Sequence, residues 1–174
     1  MTDERLLLQC ARFRVAQIDV TGHDGRIHQY DAIRHPGAVV LLPLLDDGSV
    51  VMIENHRHVV GETLLELPAG TIDPNESPQR CAARELAEET GYRAEQLEKL
   101  HEFYSCPGIC DELMHLYLAR GLSSGNPARE ATEMIENRIV TRPQVVEMLA
   151  QGRIRDAKTL IGLYALLVAS PTRR

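Results

Sequence analysis

Between Gly70 and Tyr92 the chain reads GTIDPNESPQRCAARELAEETGY, and this segment constrains the fold more than any other. Ser77 suits a helix N-cap, Pro78 the first helical position, and Gly91 the position just past the end. The pattern predicts a helix over residues 78–90. Glu85, Glu88 and Glu89 fall at i, i+3 and i+4, on one face of that helix. Like charges at this spacing destabilise an isolated helix by roughly 0.2–0.5 kcal/mol. A hard divalent cation, which prefers carboxylate oxygen, accounts for the cluster; so does a solvated acidic face.

The helix is met on both sides by strand patterns. Residues 11–20 and 26–33 alternate, with His23-Asp24-Gly25 as the turn between them. Residues 38–44 (AVVLLPL) read as a buried strand; Asp46-Asp47-Gly48 then turns into a further strand, SVVMIEN. Residues 63–67, 113–118 and 134–140 read as later strands, and residues 143–151 and 156–168 as C-terminal helices. Many strands around few helices predict an α+β or layered α/β/α domain. At 174 residues the chain has the length of one domain and can bury a core without staples.

Charge and composition narrow the class. The net charge is −6, with no basic run, which argues against nucleic acid as a partner. The apolar runs fall far short of the ~20 residues a membrane span needs. The N-terminus, MTDERLLLQCARFRV, has no basic start followed by a long apolar run, so a cytoplasmic location is expected. Cys10, Cys81, Cys106 and Cys110 are spaced too irregularly for a disulfide framework, and no second ligand pair joins Cys106 and Cys110 into a zinc site. His56 and His58 would share a strand face, as a solvent-facing pair or as a metal pair.

The fixed positions of the 70–92 segment are Gly70, Glu76, Arg84, Glu85, Leu86, Glu88, Glu89, Gly91 and Tyr92, and they resemble the signature box of the Nudix hydrolases. Such a match arises by chance on the order of once in 10⁹ starting positions at average residue usage. The resemblance implies a Nudix-fold α/β/α sandwich with a mixed central sheet and a loop–helix–loop catalytic element. It also implies Mg²⁺, with Mn²⁺ able to substitute, held by Glu85 and Glu89, by Glu88 as an additional ligand and by the backbone carbonyl of Ala69. Arg84 is placed to reach Glu88 at i+4 or Glu76 in the loop and hold the carboxylates in register. The implied reaction is hydrolysis of the pyrophosphate of a nucleoside diphosphate linked to another moiety.

The flanks resemble the ADP-ribose pyrophosphatase branch. Arg57 precedes Leu65-Glu66-Leu67-Pro68-Ala69-Gly70, as in that branch's Gln-Tyr-Arg … Glu-Leu-Pro-Ala-Gly stretch, although Asn55-His56 stand where Gln-Tyr is usual. By resemblance Arg57 pairs with the diphosphate, Pro107 and Gly108 form a substrate loop, and Glu112 faces the terminal ribose. Residues 152–160 (GRIRDAKTL) are similar to the branch's last loop-to-helix junction. Relatives of this kind take the catalytic base from an acidic loop before the last strand; here that loop runs from 123 to 136, with Glu133 as the first candidate and Glu130 as the second. The chain has no Trp, so adenine stacking falls to Tyr30, Phe13, an Arg plane or a neighbouring subunit.

The resemblance further implies a homodimer, with residues 1–35 as a dimerisation and base-binding arm and residues 36–174 as the hydrolase domain. ADP-ribose hydrolysed to AMP and ribose 5-phosphate is the expected reaction. GDP-mannose or another nucleotide sugar is the alternative substrate. A nucleotide-binding regulatory module without turnover is the alternative from a different class.

Overall fold

β4 (Ala38–Pro43) lies at the centre of the fold and is buried along its whole length. Its side chains alternate between two cores, as strand geometry requires. Val40 and Leu42 join Met52, Leu67, Leu116 and Leu163 on one side, whereas Val39 and Leu41 join Cys81, Ala82, Leu86 and Tyr117 on the other. This two-sided burial explains why residues 38–44 read as a continuous apolar run rather than an alternating one.

The protein is described here by a computed structural model that covers residues 4–129 and 134–168. Three sheets are present among those residues. The first is antiparallel and contains β1 (Glu4–Gln9), β2 (Arg14–Thr21) and β3 (Ile27–Arg34) in that order. The second is mixed and has the order β7-β4-β9-β8, with β7 (Ala69–Thr71), β8 (Arg93–Tyr104) and β9 (Leu113–Ser123). Its central pair, β4 and β9, runs parallel. The third sheet places β5 (Val50–Arg57) between β10 (Ile135–Val140) and β6 (Glu62–Glu66).

α1 (Pro78–Glu85) packs on one face of β4, and α3 (Ala157–Val168) supplies Leu163 and Leu166 to the core on the other. α2 (Arg142–Ala150) precedes α3 and buries Val145 in the same core as α3. The architecture is the expected mixed α/β sandwich. A Cβ on Gly162 would lie 2.4 Å from Leu67 Cδ1, so α3 approaches the chain just ahead of β7 closely. No helix of the described residues is long and apolar enough to cross a membrane.

The sequence reading lacks the short strands β1 and β7, and two larger differences bear on the site. β8, a 12-residue strand, has no counterpart in that reading. Its inward residues Ala94, Leu97, Leu100 and Phe103 recur every third position, and a register shift falls between Lys99 and His101. Ala94 and Leu97 pack with the α1 core, whereas Leu100 and Phe103 pack with the α3 core. A strand that changes face leaves no period-2 signal. The second difference is in the 78–90 helix, which is α-helical only to Glu85 and closes in a π-helical turn, Leu86–Thr90. Such turns concentrate at functional sites.

Candidate active site

The local sequence builds a rigid platform. Ser77 accepts a hydrogen bond from the Arg80 N–H at 3.4 Å, and Pro78 opens α1. Gly91 ends the π-helical turn with φ 80°, a left-handed conformation that favours glycine. Beside the helix, β7 pairs with β4 and places Ala69 and Gly70 against its last two turns. Ala69 N–H donates to Glu89 Oε2 at 2.9 Å. A Cβ on Gly70 would fall 1.9 Å from Glu85 Cδ, so the Glu85 carboxylate rests where any side chain would stand.

Arg84 organises the carboxylates. Its Nη1 donates to Glu85 Oε1 at 2.7 Å and to Glu88 Oε2 at 3.0 Å. Nε and Nη2 grip the two oxygens of Glu76, and Nη2 also donates to the Thr71 carbonyl at 3.2 Å. The two partners expected from sequence, Glu76 and Glu88, are therefore both engaged. The Arg84 hydrogen bonds hold the Glu76 carboxyl down at about 2. Glu76 in turn raises the Arg84 guanidinium above its ordinary value. Burial, with the charges of Glu76 and Glu85, pushes the Cys81 thiol up to about 12, which marks it as a packing residue rather than a nucleophile.

Glu85 and Glu89 are buried, whereas the Glu88 side chain is 41% exposed. Among the described residues no group of three or more His, Cys, Asp or Glu side chains stands assembled as a cation cage. The donor set nevertheless fits a hard divalent ion. It is made only of oxygen, two of its carboxylates are buried, and Gly70 leaves room for the Glu85 carboxylate to approach the Ala69 backbone.

Arg57, at the end of β5, is held by Glu66. Nε donates to Oε1 at 2.8 Å and Nη2 to Oε2 at 2.6 Å, and the Lys158 ammonium lies 2.5 Å from Oε2. Glu66 is fully buried. The Glu66 hydrogen bonds raise the Arg57 guanidinium pKa, and the Glu89 charge adds to that rise, which ties Arg57 to the acidic helix. Asp156 accepts from the Thr159 N–H at 3.0 Å and pairs with Lys158 at 2.9 Å, at the start of α3.

The remaining candidates lie along the 105–112 loop. The Ile109 N–H bonds the Cys106 carbonyl at 3.1 Å, which closes a turn around Pro107 and Gly108. Glu112 Oε1 faces His35 Nδ1 at 3.5 Å, and Asp111 binds Arg34 and the His35 N–H. This loop is strapped to the first sheet by bonds between Ile33 and Ile109 and between Asp111 and Ile33. Glu130 and Glu133 lie outside the described residues. None of the four cysteines is in a disulfide. The His56 and His58 rings meet edge to face at 5.1 Å.

Two residues at the platform escaped the sequence reading, Arg129 and Asn137. Arg129 Nε donates to the Glu89 carbonyl at 2.9 Å, and Asn137 Nδ2 to the Thr90 carbonyl at 2.7 Å. A signal existed for Asn137, since Asn is depleted in strands and here sits inside one.

The NUDIX domain family model matches residues 34–162, and the chain belongs to that family, the Nudix hydrolases. It is 37% identical over 153 residues to the methanol dehydrogenase activator of Bacillus methanolicus and 36% identical over 150 residues to the ADP-ribose pyrophosphatase of Bacillus subtilis. Each alignment covers 85% of this chain and 81% of the relative. The GDP-mannose pyrophosphatase of Cronobacter sakazakii is 37% identical over 163 residues, with 85% of this chain and 83% of the relative covered. The crystal structure of an ADP compounds hydrolase superposes with a TM-score of 0.82 over 96% of this chain and 91% of that one; at 21% identity it shows the shared fold.

Proposed function

We propose that this chain hydrolyses the pyrophosphate bond of a nucleoside diphosphate linked to a sugar, with ADP-ribose as the substrate and AMP and ribose 5-phosphate as the products. The observation that carries the reading is the grip of Arg84 on Glu76, Glu85 and Glu88 beside Gly70. A binding module has no need to keep that whole acid set in register. The relatives named for ADP-ribose and GDP-mannose support this substrate class.

Glu85, Glu89, Glu88 and the Ala69 carbonyl would hold the cation, read as Mg²⁺. When bound, such an ion polarises phosphoryl oxygens and makes the attacking water more acidic. Arg84 Nη1 bridges the Glu85 and Glu88 carboxylates and fixes their spacing, with Glu85 set against Gly70. Arg57 is assigned to the diphosphate: its Nε and Nη2 are fixed by Glu66, which leaves Nη1 as the donor for a phosphate oxygen. Pro107, Gly108 and Glu112 are assigned to the sugar side. The proton of the attacking water is assigned to Glu133, with Glu130 as second choice. Replacing the true base with Gln should lower kcat by roughly 10²–10⁴-fold with KM little changed.

We further read residues 1–35 as an arm that joins a second copy of the chain, and residues 36–174 as the hydrolase domain. The first sheet exposes Leu6 and Tyr30 on one face and Leu8 and Ile27 on the other, apolar side chains that a partner wrapping this sheet would cover. Light scattering at micromolar concentration should give the mass of a dimer; a monomeric mass with full activity overturns the assembly. Cysteines without disulfides agree with a reducing, cytoplasmic location.

A substrate screen with Mg²⁺ decides the reading. AMP release from ADP-ribose should exceed GMP release from GDP-mannose. The reverse order assigns the chain to the alternative sugar. Tight nucleotide binding without turnover supports the regulatory-module reading instead.

A further inference from the structure

The C-terminal end of the catalytic helix is held from outside. A helix end leaves its last carbonyls without partners inside the helix. Here three successive carbonyls each accept a bond from the chain that follows β9. Ala128 N–H donates to the Glu88 carbonyl at 2.9 Å, Arg129 Nε to the Glu89 carbonyl at 2.9 Å, and Asn137 Nδ2 to the Thr90 carbonyl at 2.7 Å. Arg129 and Asn137 are themselves joined, Nη2 to Oδ1, at 2.8 Å. These bonds fix the orientation of the Asn137 amide, since its nitrogen must donate and its oxygen accept. A Cβ on Gly91 would lie 2.5 Å from the Gly125 carbonyl oxygen, so the chain at 125–127 is pressed against the helix end.

We propose that Arg129, braced by Asn137, is a positioning residue for hydrolysis: by binding the Glu89 carbonyl it sets the rotation of the π-helical turn that carries Glu88 and Glu89. The cation on Arg129 lies at the negative end of the helix dipole, where its hydrogen bond is strongest. The turn is also fixed at its side chains, through Glu89 to the Ala69 N–H. With both backbone and carboxylate held, Glu89 has one place relative to Gly70. Releasing the backbone lets the carboxylate drift, and a displacement of about 1 Å at a reacting centre is worth on the order of 10²-fold in rate.

The inference rests on the proposed hydrolysis, and its test separates the two. Arg129→Ala, Arg129→Lys and Asn137→Ala are assayed with ADP-ribose and Mg²⁺ beside Glu85→Gln, and Mn²⁺ affinity is measured by calorimetry without nucleotide. Arg129→Ala should lower kcat about 10–100-fold with KM within a few-fold, and weaken Mn²⁺ binding several-fold. Asn137→Ala should shift both in the same direction but less. Arg129→Lys, which still offers a cationic donor, should restore part of kcat. Unchanged kcat and unchanged Mn²⁺ affinity in Arg129→Ala overturn the proposal. So does a loss that only follows a fall in melting temperature and is not rescued by Lys. A wild-type chain that binds Mn²⁺ but turns over neither ADP-ribose nor GDP-mannose overturns the hydrolysis, and the calorimetric arm still decides the clamp.

Discussion

Arg84 binds Glu76 through both carboxylate oxygens, Nε to Oε1 at 3.0 Å and Nη2 to Oε2 at 2.8 Å, across eight positions of chain. The loop ahead of α1 is thereby locked to the helix by a planar fork. A lysine presents a point charge and cannot reproduce it. Arg84→Lys should therefore keep the fold but lower kcat by about 10²-fold, since Glu85 and Glu88 lose the same partner. Steady-state kinetics beside a circular-dichroism melt checks this. Activity within a few-fold of wild type would show that the fork is dispensable.

Gly70 gives a sharper steric test. The methyl group of Gly70→Ala would fall on the Glu85 carboxylate, 1.9 Å from its carbon. The side chain must swing away from Ala69. We expect kcat to fall by at least an order of magnitude and Mg²⁺ requirement to rise, with a melting temperature close to wild type. A Mg²⁺ titration of activity reads both effects.

Glu66 has no exposure and lies between Arg57 and Lys158. Removing Glu66 strips Arg57 of its anionic partner while Lys158 keeps Asp156 at 2.9 Å, and breaking a buried ion pair costs about 3–5 kcal/mol. The Arg57 side chain is 41% exposed, so water recovers part of that loss. Glu66→Ala should destabilise the protein by about 3 kcal/mol in urea unfolding and also raise KM for the nucleotide, because Arg57 loses its orientation.

Asp156 supplies the pH dependence. Burial opposes its ionisation, but the Lys158 charge and the Thr159 hydrogen bonds prevail and hold its pKa below the ordinary 3.8. A depressed carboxylate contributes stability that is complete above its unfolded pKa and is lost as pH falls through the folded one. Asp156→Ala, which also removes the cap of α3, should lower stability at pH 7 by about 1–2 kcal/mol. The gap in melting temperature from wild type should narrow below about pH 4. A gap of constant size down to pH 2 would contradict the assignment.

The box was legible because its residues are neighbours in sequence and their spacing is itself the geometry. Ser77, Pro78 and Gly91 marked the helix ends for the same reason. The π-helical turn was not legible, since it is accompanied by partners from elsewhere: Ala69 at the Glu89 side chain and Arg129 at its carbonyl. β8 was hidden by its change of face between Leu97 and Leu100. Arg57 stands out in the sequence by its place ahead of the Glu-Leu-Pro-Ala-Gly stretch, but its buried anchor, Glu66 held also by Lys158, joins residues 92 positions apart, beyond any local pattern.

If the carboxylates beside Gly70 perform pyrophosphate hydrolysis, the Glu85→Gln/Glu89→Gln double variant abolishes it. Both replacements keep size and shape and remove the charge. With saturating ADP-ribose and Mg²⁺, AMP release followed by chromatography should fall by at least three orders of magnitude while the folded spectrum is retained. Near-wild-type AMP release from a folded double variant would contradict the account.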